Sequence, residues 1–247
     1  VIGQSIGILQ SMRIQQAAGL NGNRYATFHQ LGKEQAQKLH EDDRLYDVGD
    51  TIFIGSTPLG NSSLSLYLRE YHDNALSMYP AIGNVKEGRL PEEAIEIALS
   101  EDALQYLGLD AVIGDTVSLD LSVSVMDGSL SELEYSADFV LTGILESSYI
   151  GYASGTVEGI VGEGTAEELL PEEYLLYSTD FKTYDKQNFQ SIIYALAEDL
   201  NVDERYIQYN WVLLDAIGIS YDEAADSDTG TGFSFMTAAC ILVGVLV

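Results

Sequence analysis

The sequence predicts an α+β fold in which two strand–helix–strand units flank a β-rich insert, with ends of transmembrane helices at either side. Three observations predict it. Strand–helix–strand rhythm appears near both ends, in Tyr25–Gly55 and Tyr174–Asn210. The hydrophobic period switches to two in between. The segment Phe233–Val247 (FSFMTAACILVGVLV) carries no charge over fifteen residues. A membrane-spanning helix needs ~20 mostly apolar residues, so this run is expected to open a span.

The first twelve residues, VIGQSIGILQSM, are also uncharged, and Ile2, Ile6 and Leu9 share one helical face. Two readings stay open: the emerging end of a preceding membrane helix, or an ordinary amphipathic helix. Gln4, Ser5 and Gln10 make the stretch too polar for a bilayer centre. An extended Tyr25–Leu31 then leads through Gly32 into a helical KEQAQKLHEDD and an apolar strand, Thr51–Gly55.

A second unit begins with the strand Glu96–Ser100. Ser100 is placed to cap the helix that follows, Glu101 and Asp102 suit its positive start, and Gly108 fits the left-handed position after its end. Val117, Leu119, Leu121, Val123 and Val125 then alternate with polar residues, as in a half-buried antiparallel strand. Asp127-Gly128 is a turn signal, and Tyr135, Ala137, Phe139, Leu141 and Gly143 alternate again. The tetrapeptide LPEE stands at Leu90–Glu93 and again at Leu170–Glu173, marking the two edges of the insert. The last unit is Tyr174–Phe181, a helix capped by Asp185 with Phe189, Ile192, Ile193, Leu196 and Leu200 at helical spacing, and a returning strand, Arg205–Asn210. The expected organisation is a first membrane-helix end or stalk over 1–14, an α/β part from 15–84 and 170–219, an inserted subdomain over 85–169, and a second stalk and span over 220–247.

The net charge of −28 repels phosphate backbones and excludes nucleic acid as the expected partner. Between Arg89 and Lys182 no Lys or Arg occurs, while 20 Asp and Glu do, and none follows Arg205. Cytoplasmic flanks of membrane helices carry excess Lys and Arg, so the chain is expected to face outward. Its single cysteine, Cys240, lies inside the apolar run and allows no intramolecular disulfide.

Signals of chemistry are weak. His29, His40 and His72 share no metal-ligand spacing and have no cysteine partner, so they read as solvated or hydrogen-bonded residues. There is no G-x-S-x-G elbow and no Walker lysine, and Gly162 and Gly164 read as a turn. Asp226, Asp228 and Gly230 resemble the opening of a calcium loop, but its twelfth position, Thr237, is not Glu. With 39 acids, carboxylate pairing has no specificity. No catalytic, cofactor-binding or metal-ligating residue is assigned, and no enzyme activity is expected. Partner or substrate contact is assigned to the Tyr- and Gly-rich loop Tyr149–Gly164, through Tyr149 and Tyr152, and to Trp211. Membrane contact is assigned to Phe233, Phe235, Ile241, Leu242, Val243, Val245, Leu246 and Val247.

The block EIALSEDALQYLGLDAVIGDTVSLDL resembles the strand–helix–GD–strand signature in the extracytoplasmic domain of MacB-like and FtsX-like ABC transporter permeases. ADFVLTGIL resembles the strand that follows there. The resemblance is close over about 85–147 and otherwise one of element order. It departs at GRLPEEA and in the length of IGYASGTVEGIVGEG. It implies a discontinuous porter-like part carrying an inserted β-rich subdomain, set between two membrane helices on the outer side of a bacterial cell membrane. It implies no active site and no cofactor. The implied partners are a cytoplasmic ABC ATPase reached through the rest of the permease, the membrane, and a permease dimer or extracellular protein. ATP-driven movement of the membrane helices would turn the two flanking units through Val1–Met12 and a 220–232 stalk. Two rivals remain: a membrane-anchored surface binding or adhesion module, and a secreted carboxylate-based hydrolase. The permease reading requires the two ends of the domain to lie together.

Overall fold

Alternation along the strands decides which face each presents. The computed structural model describes residues 2–127, 129–147 and 149–219. A long helix α1 (Ile2–Asn21) leads into β1 (Ala26–Leu31), α2 (Lys33–His40) and β2 (Leu45–Pro58). Near the other end come β9 (Tyr177–Thr183), α6 (Phe189–Leu200), β10 (Ile207–Tyr209) and α7 (Trp211–Ala216). The strands lie in the order β10-β1-β9-β2, each antiparallel to its neighbour. Each strand–helix–strand unit is therefore split by a strand of the other, the ferredoxin-like arrangement. Residues far apart in sequence build one layer.

Both helices cover one face of that layer. Phe189, Ile193, Leu196 and Leu200 recur along α6 and are buried with Ala36 and Leu39 of α2 against Phe28, Ile52 and Phe181. Gln35 on α2 donates to the Leu200 carbonyl at 2.8 Å, which sets the helices side by side. Asp185 is not the N-cap: it accepts from the backbone of Gln187 and Asn188 in the turn before α6, whose N-cap is Asn188. The returning strand is shorter than the expected Arg205–Asn210, because Glu204–Tyr206 forms a 3-10 turn.

The insert grows from the far end of β2. Between them lie β3 (Ser65–Tyr71), β4 (Val85–Gly88), β5 (Glu96–Ser100), α3 (Glu101–Leu107), β6 (Thr116–Asp127), β7 (Ser129–Leu145), α4 (Tyr149–Ser154), β8 (Thr156–Val161) and α5 (Thr165–Leu169). α3 is as expected: Ser100 accepts from the Ala103 amide at 3.2 Å, and Gly108 adopts φ +71° after the helix. β6 and β7 form the expected hairpin, in register from Thr116↔Val140 to Asp127↔Ser129; the turn residue Gly128 lies outside the described residues. Val117, Leu119, Leu121 and Val123 point inward, while Ser118 and Ser136 reach Asp138 and Asp120 across the outer face.

β3 and β8, which sequence reasoning passed over, are central. β8 runs parallel to β3 and antiparallel to β5, and β5 runs parallel to β7. β6 then returns to β2 at Ser56↔Ser122. The six strands β2-β3-β8-β5-β7-β6 thus close on themselves around Leu66, Leu68, Leu99, Leu119, Leu121, Phe139 and Leu141, each at most 4% exposed. The expected loop Tyr149–Gly164 instead holds α4 and β8, because Val157 and Val161 are buried in this core while Ile160 packs with Ala98 and Leu145 in a second cluster. The helix expected within the first twelve residues runs from Ile2 to Asn21, and among the described residues no helix is long and apolar enough to cross a membrane.

Candidate functional site

Two regions of the molecule concentrate polar organisation: the stem where α1 meets α7, and a groove beside α2. In the stem, Asn210 sits at the start of α7, is 3% exposed, and donates through Nδ2 to the carbonyls of Gly22 (2.8 Å) and Arg24 (2.9 Å). Its Oδ1 accepts from the Leu213 amide, so one side chain caps α7 and fastens it to the end of α1. Five residues on, Asp215 meets Arg13 at 3.3 Å. α7 therefore runs back along α1, and the chain leaves the layer in the direction from which it entered. Ile8, Leu9 and Met12 on α1 and Val212 on α7 are each more than half exposed.

At the root of the stem lies a buried ionic node. Arg24, three residues beyond α1, packs against Asp180 of β9 at 3.3 Å with 2% of either side chain exposed. Tyr79 donates to Asp180 at 2.7 Å and accepts from Arg24 Nε at 3.0 Å, and Thr27 adds a short bond to the same carboxylate. Burial pushes the Asp180 pKa up, against the opposing pull of Arg24, Thr27 and Tyr79. β1, β9 and the segment after β3 are thereby tied to the end of the stem helix.

The groove has a volume of about 380 Å³ and lies between α2, β2, the end of β3 and the start of α5. Its charged lining is Asp50, Glu70, Asp73, Glu163 and Glu167 against Lys33, five carboxylates to one ammonium, with His40 and His72 among them. Lys33 pairs with Glu167 at 2.7 Å across one end. Glu70 is 1% exposed and accepts from the amides of Gly164 (2.9 Å) and Ala166 (2.6 Å), which accounts for a buried acid there. His72 Nε2 lies 2.7 Å from Glu70, off the direction of a hydrogen bond, and Nδ1 lies 3.3 Å from Glu163. His40 Nε2 lies 2.9 Å from Asp50 and 3.8 Å from Asp73. The Asp50 carboxylate raises the His40 pKa and the Glu70 carboxylate raises that of His72, each against the lowering effect of burial.

The residues singled out from sequence fare differently. Trp211 is the first residue of α7, partly buried, and stacks on Tyr209 at 4.5 Å between ring centroids. Tyr149 and Tyr152 both fall on α4, away from Trp211 in sequence. The membrane-contact residues Phe233, Phe235, Ile241, Leu242, Val243, Val245, Leu246 and Val247, and the 226–230 segment, lie outside the described residues. His29 stands apart on β1, bonded to Ser178 and Gln208. His40 and His72 come together with carboxylates that no spacing announced. The strand β3, legible afterwards in the alternation Leu64, Leu66, Leu68, is what carries His72 to α2.

The sequence matches no family model and no curated protein. Among solved structures, the periplasmic region of MacB from Actinobacillus actinomycetemcomitans is similar at a TM-score of 0.48, with 14% identity, covering 83% of this chain and 96% of that one. The extracellular domain of the noncanonic ABC-type transporter YknZ from Gram-positive bacteria is similar at 0.49, with 12% identity, covering 76% of this chain and 99% of that one.

Proposed function

We propose that the chain is the extracytoplasmic domain of an ABC transporter permease, a non-catalytic outer arm that transmits conformational change. The observation that carries the reading is the antiparallel pairing of α1 with α7, fixed by Asn210 at one end and Arg13–Asp215 at the other. A domain held between two membrane helices must take in and release its chain on one side, and this stem does so. The outward apolar residues Ile8, Leu9 and Met12 support a stem that approaches a bilayer or a partner helix. The EIALSEDALQYLG block with its following GD supports the same family reading.

The stem has a mechanical continuation. A displacement of α1 reaches Arg24 within three residues and, through Asp180 and Tyr79, strains β1, β9 and the segment after β3 together. Rigid transmission of this kind is how hinge and shear motions pass from one element to another. The ATPase that drives it is a cytoplasmic partner, and the domain faces outward.

The test uses the full-length protein in its native membrane. With Cys240 replaced by Ser, a cysteine placed at Asp215 should react in intact cells with a membrane-impermeant thiol reagent. Spin labels at Arg13 and Asp215, both side chains about 70% exposed, should change separation when the associated ATPase is trapped with vanadate. Protection of the cysteine in intact cells would refute the outward placement. A label distance indifferent to nucleotide would refute the transmitting role.

A further inference from the structure

We propose that His40, Asp50 and Asp73 form a binding site for one divalent transition-metal ion of the zinc class. The three residues come from the end of α2, from β2 and from the turn after β3, and one donor atom from each lies within 4.8 Å of the other two. His40 Nε2 is 2.9 Å from Asp50 Oδ2 and 3.8 Å from Asp73 Oδ2. Bonds of about 2.0–2.2 Å to a tetrahedral zinc set its ligand atoms about 3.3–3.6 Å apart. The two separations bracket that edge, and the two carboxylates lie within 4.8 Å of each other, so side-chain adjustments of about an ångström would close the set.

The surroundings are those of a ligand set rather than a chance contact. The Asp50 side chain is 10% exposed, and its Oδ1 accepts from the Thr179 hydroxyl at 2.5 Å, which turns Oδ2 toward His40. Orientation of a ligating carboxylate by an outer hydroxyl is a regular feature of metal sites. Asp73, in the turn after β3, places its Oδ2 3.8 Å from the same imidazole nitrogen. An imidazolium proton on His40 would neutralise one of these two carboxylates; a divalent ion neutralises both. The wider groove adds Glu70, Glu163 and Glu167 against a single Lys33, which favours cations there. The donor set also selects among cations. One imidazole with two carboxylates suits zinc and its neighbours, whereas calcium takes six to eight oxygens.

Occupancy would join the first split unit to β3, and through β3 to the closed strands of the insert. That consequence is independent of the transporter reading, because it concerns only binding to this chain.

The experiment is calorimetric titration of ZnCl2 into the full 247-residue chain, with Co2+ absorption as a readout of coordination. We expect one saturable equivalent of Zn2+, visible ligand-field bands with Co2+, and no displacement by a large excess of Mg2+. His40→Ala and Asp73→Asn should each weaken Zn2+ binding by at least about tenfold and abolish the Co2+ bands. Asp73 is 61% exposed, so its variant tests the ligand without disturbing the core. Asp215→Asn, on the distant stem, should bind as the parent does. Absence of saturable binding, parental affinity in both ligand variants, or ready displacement by Mg2+ would overturn the proposal.

Discussion

Arg24 and Arg13 make the same kind of bond in opposite surroundings, and the difference sets what each is worth. Arg24 faces Asp180 with 2% of either side chain exposed, while Arg13 and Asp215 are about 70% exposed. Removing one member of a buried pair strands the other charge, so Arg24→Met should cost about 3–5 kcal/mol in urea unfolding. Arg13→Ala should cost less than about 1 kcal/mol, since water already solvates its partner. His29 gives a pH-dependent counterpart. Burial lowers its pKa from 6.5 to about 4, and both ring nitrogens are already bonded in the neutral form, to Ser178 and Gln208. The unfolded chain therefore takes up the proton first, and stability falls as pH drops from 6.5 towards 4. His29→Gln should remove about 2–3 kcal/mol of that loss while changing little at pH 7.5, as read from unfolding curves at both pH values.

Elements that close their own hydrogen bonds locally were legible in the sequence; those that depend on distant partners were not. α3 carries its start and stop within nine residues, and Ser100→Ala should lower the unfolding free energy by about 1 kcal/mol. α6 was equally legible in its spacing, although Asp185 serves the turn before it and not the cap itself. β8 was hidden because its partners, β3 and β5, lie far from it in sequence, and Gly159 interrupts its apolar residues. Gly162, just past β8, shows how tightly that strand is received. A Cβ there would run into the Glu93 carbonyl, a backbone atom that cannot rotate away. Gly162→Ala should therefore destabilise by about 1–3 kcal/mol, measured by the same unfolding assay. The groove was illegible for a related reason. His40 ends a helix and His72 follows a strand, and only the β2–β3 register brings them to one place.

For the whole molecule the decisive element is β2, which pairs with β9 in the split layer and with β3 and β6 in the closed insert. A strand shared by two parts leaves neither with a complete sheet when the other unfolds. Trp211, the chain's one tryptophan, reports on the stem and the layer, whereas far-ultraviolet circular dichroism reports on both parts. Their denaturation midpoints should coincide, and separated midpoints would mean that β2 does not couple them.

The interleaving of β1 with β9 also has a consequence for synthesis. Thr27 and Asp180, bonded in the finished layer, are 153 positions apart. At about 5–20 residues per second, the ribosome needs roughly 8–30 s to supply the second after the first. During that interval β1 has neither of its partner strands, β9 and β10. The insert, whose strands lie between them in sequence, has most of its own partners at hand earlier, so the order of birth favours an inner part that folds before the part surrounding it.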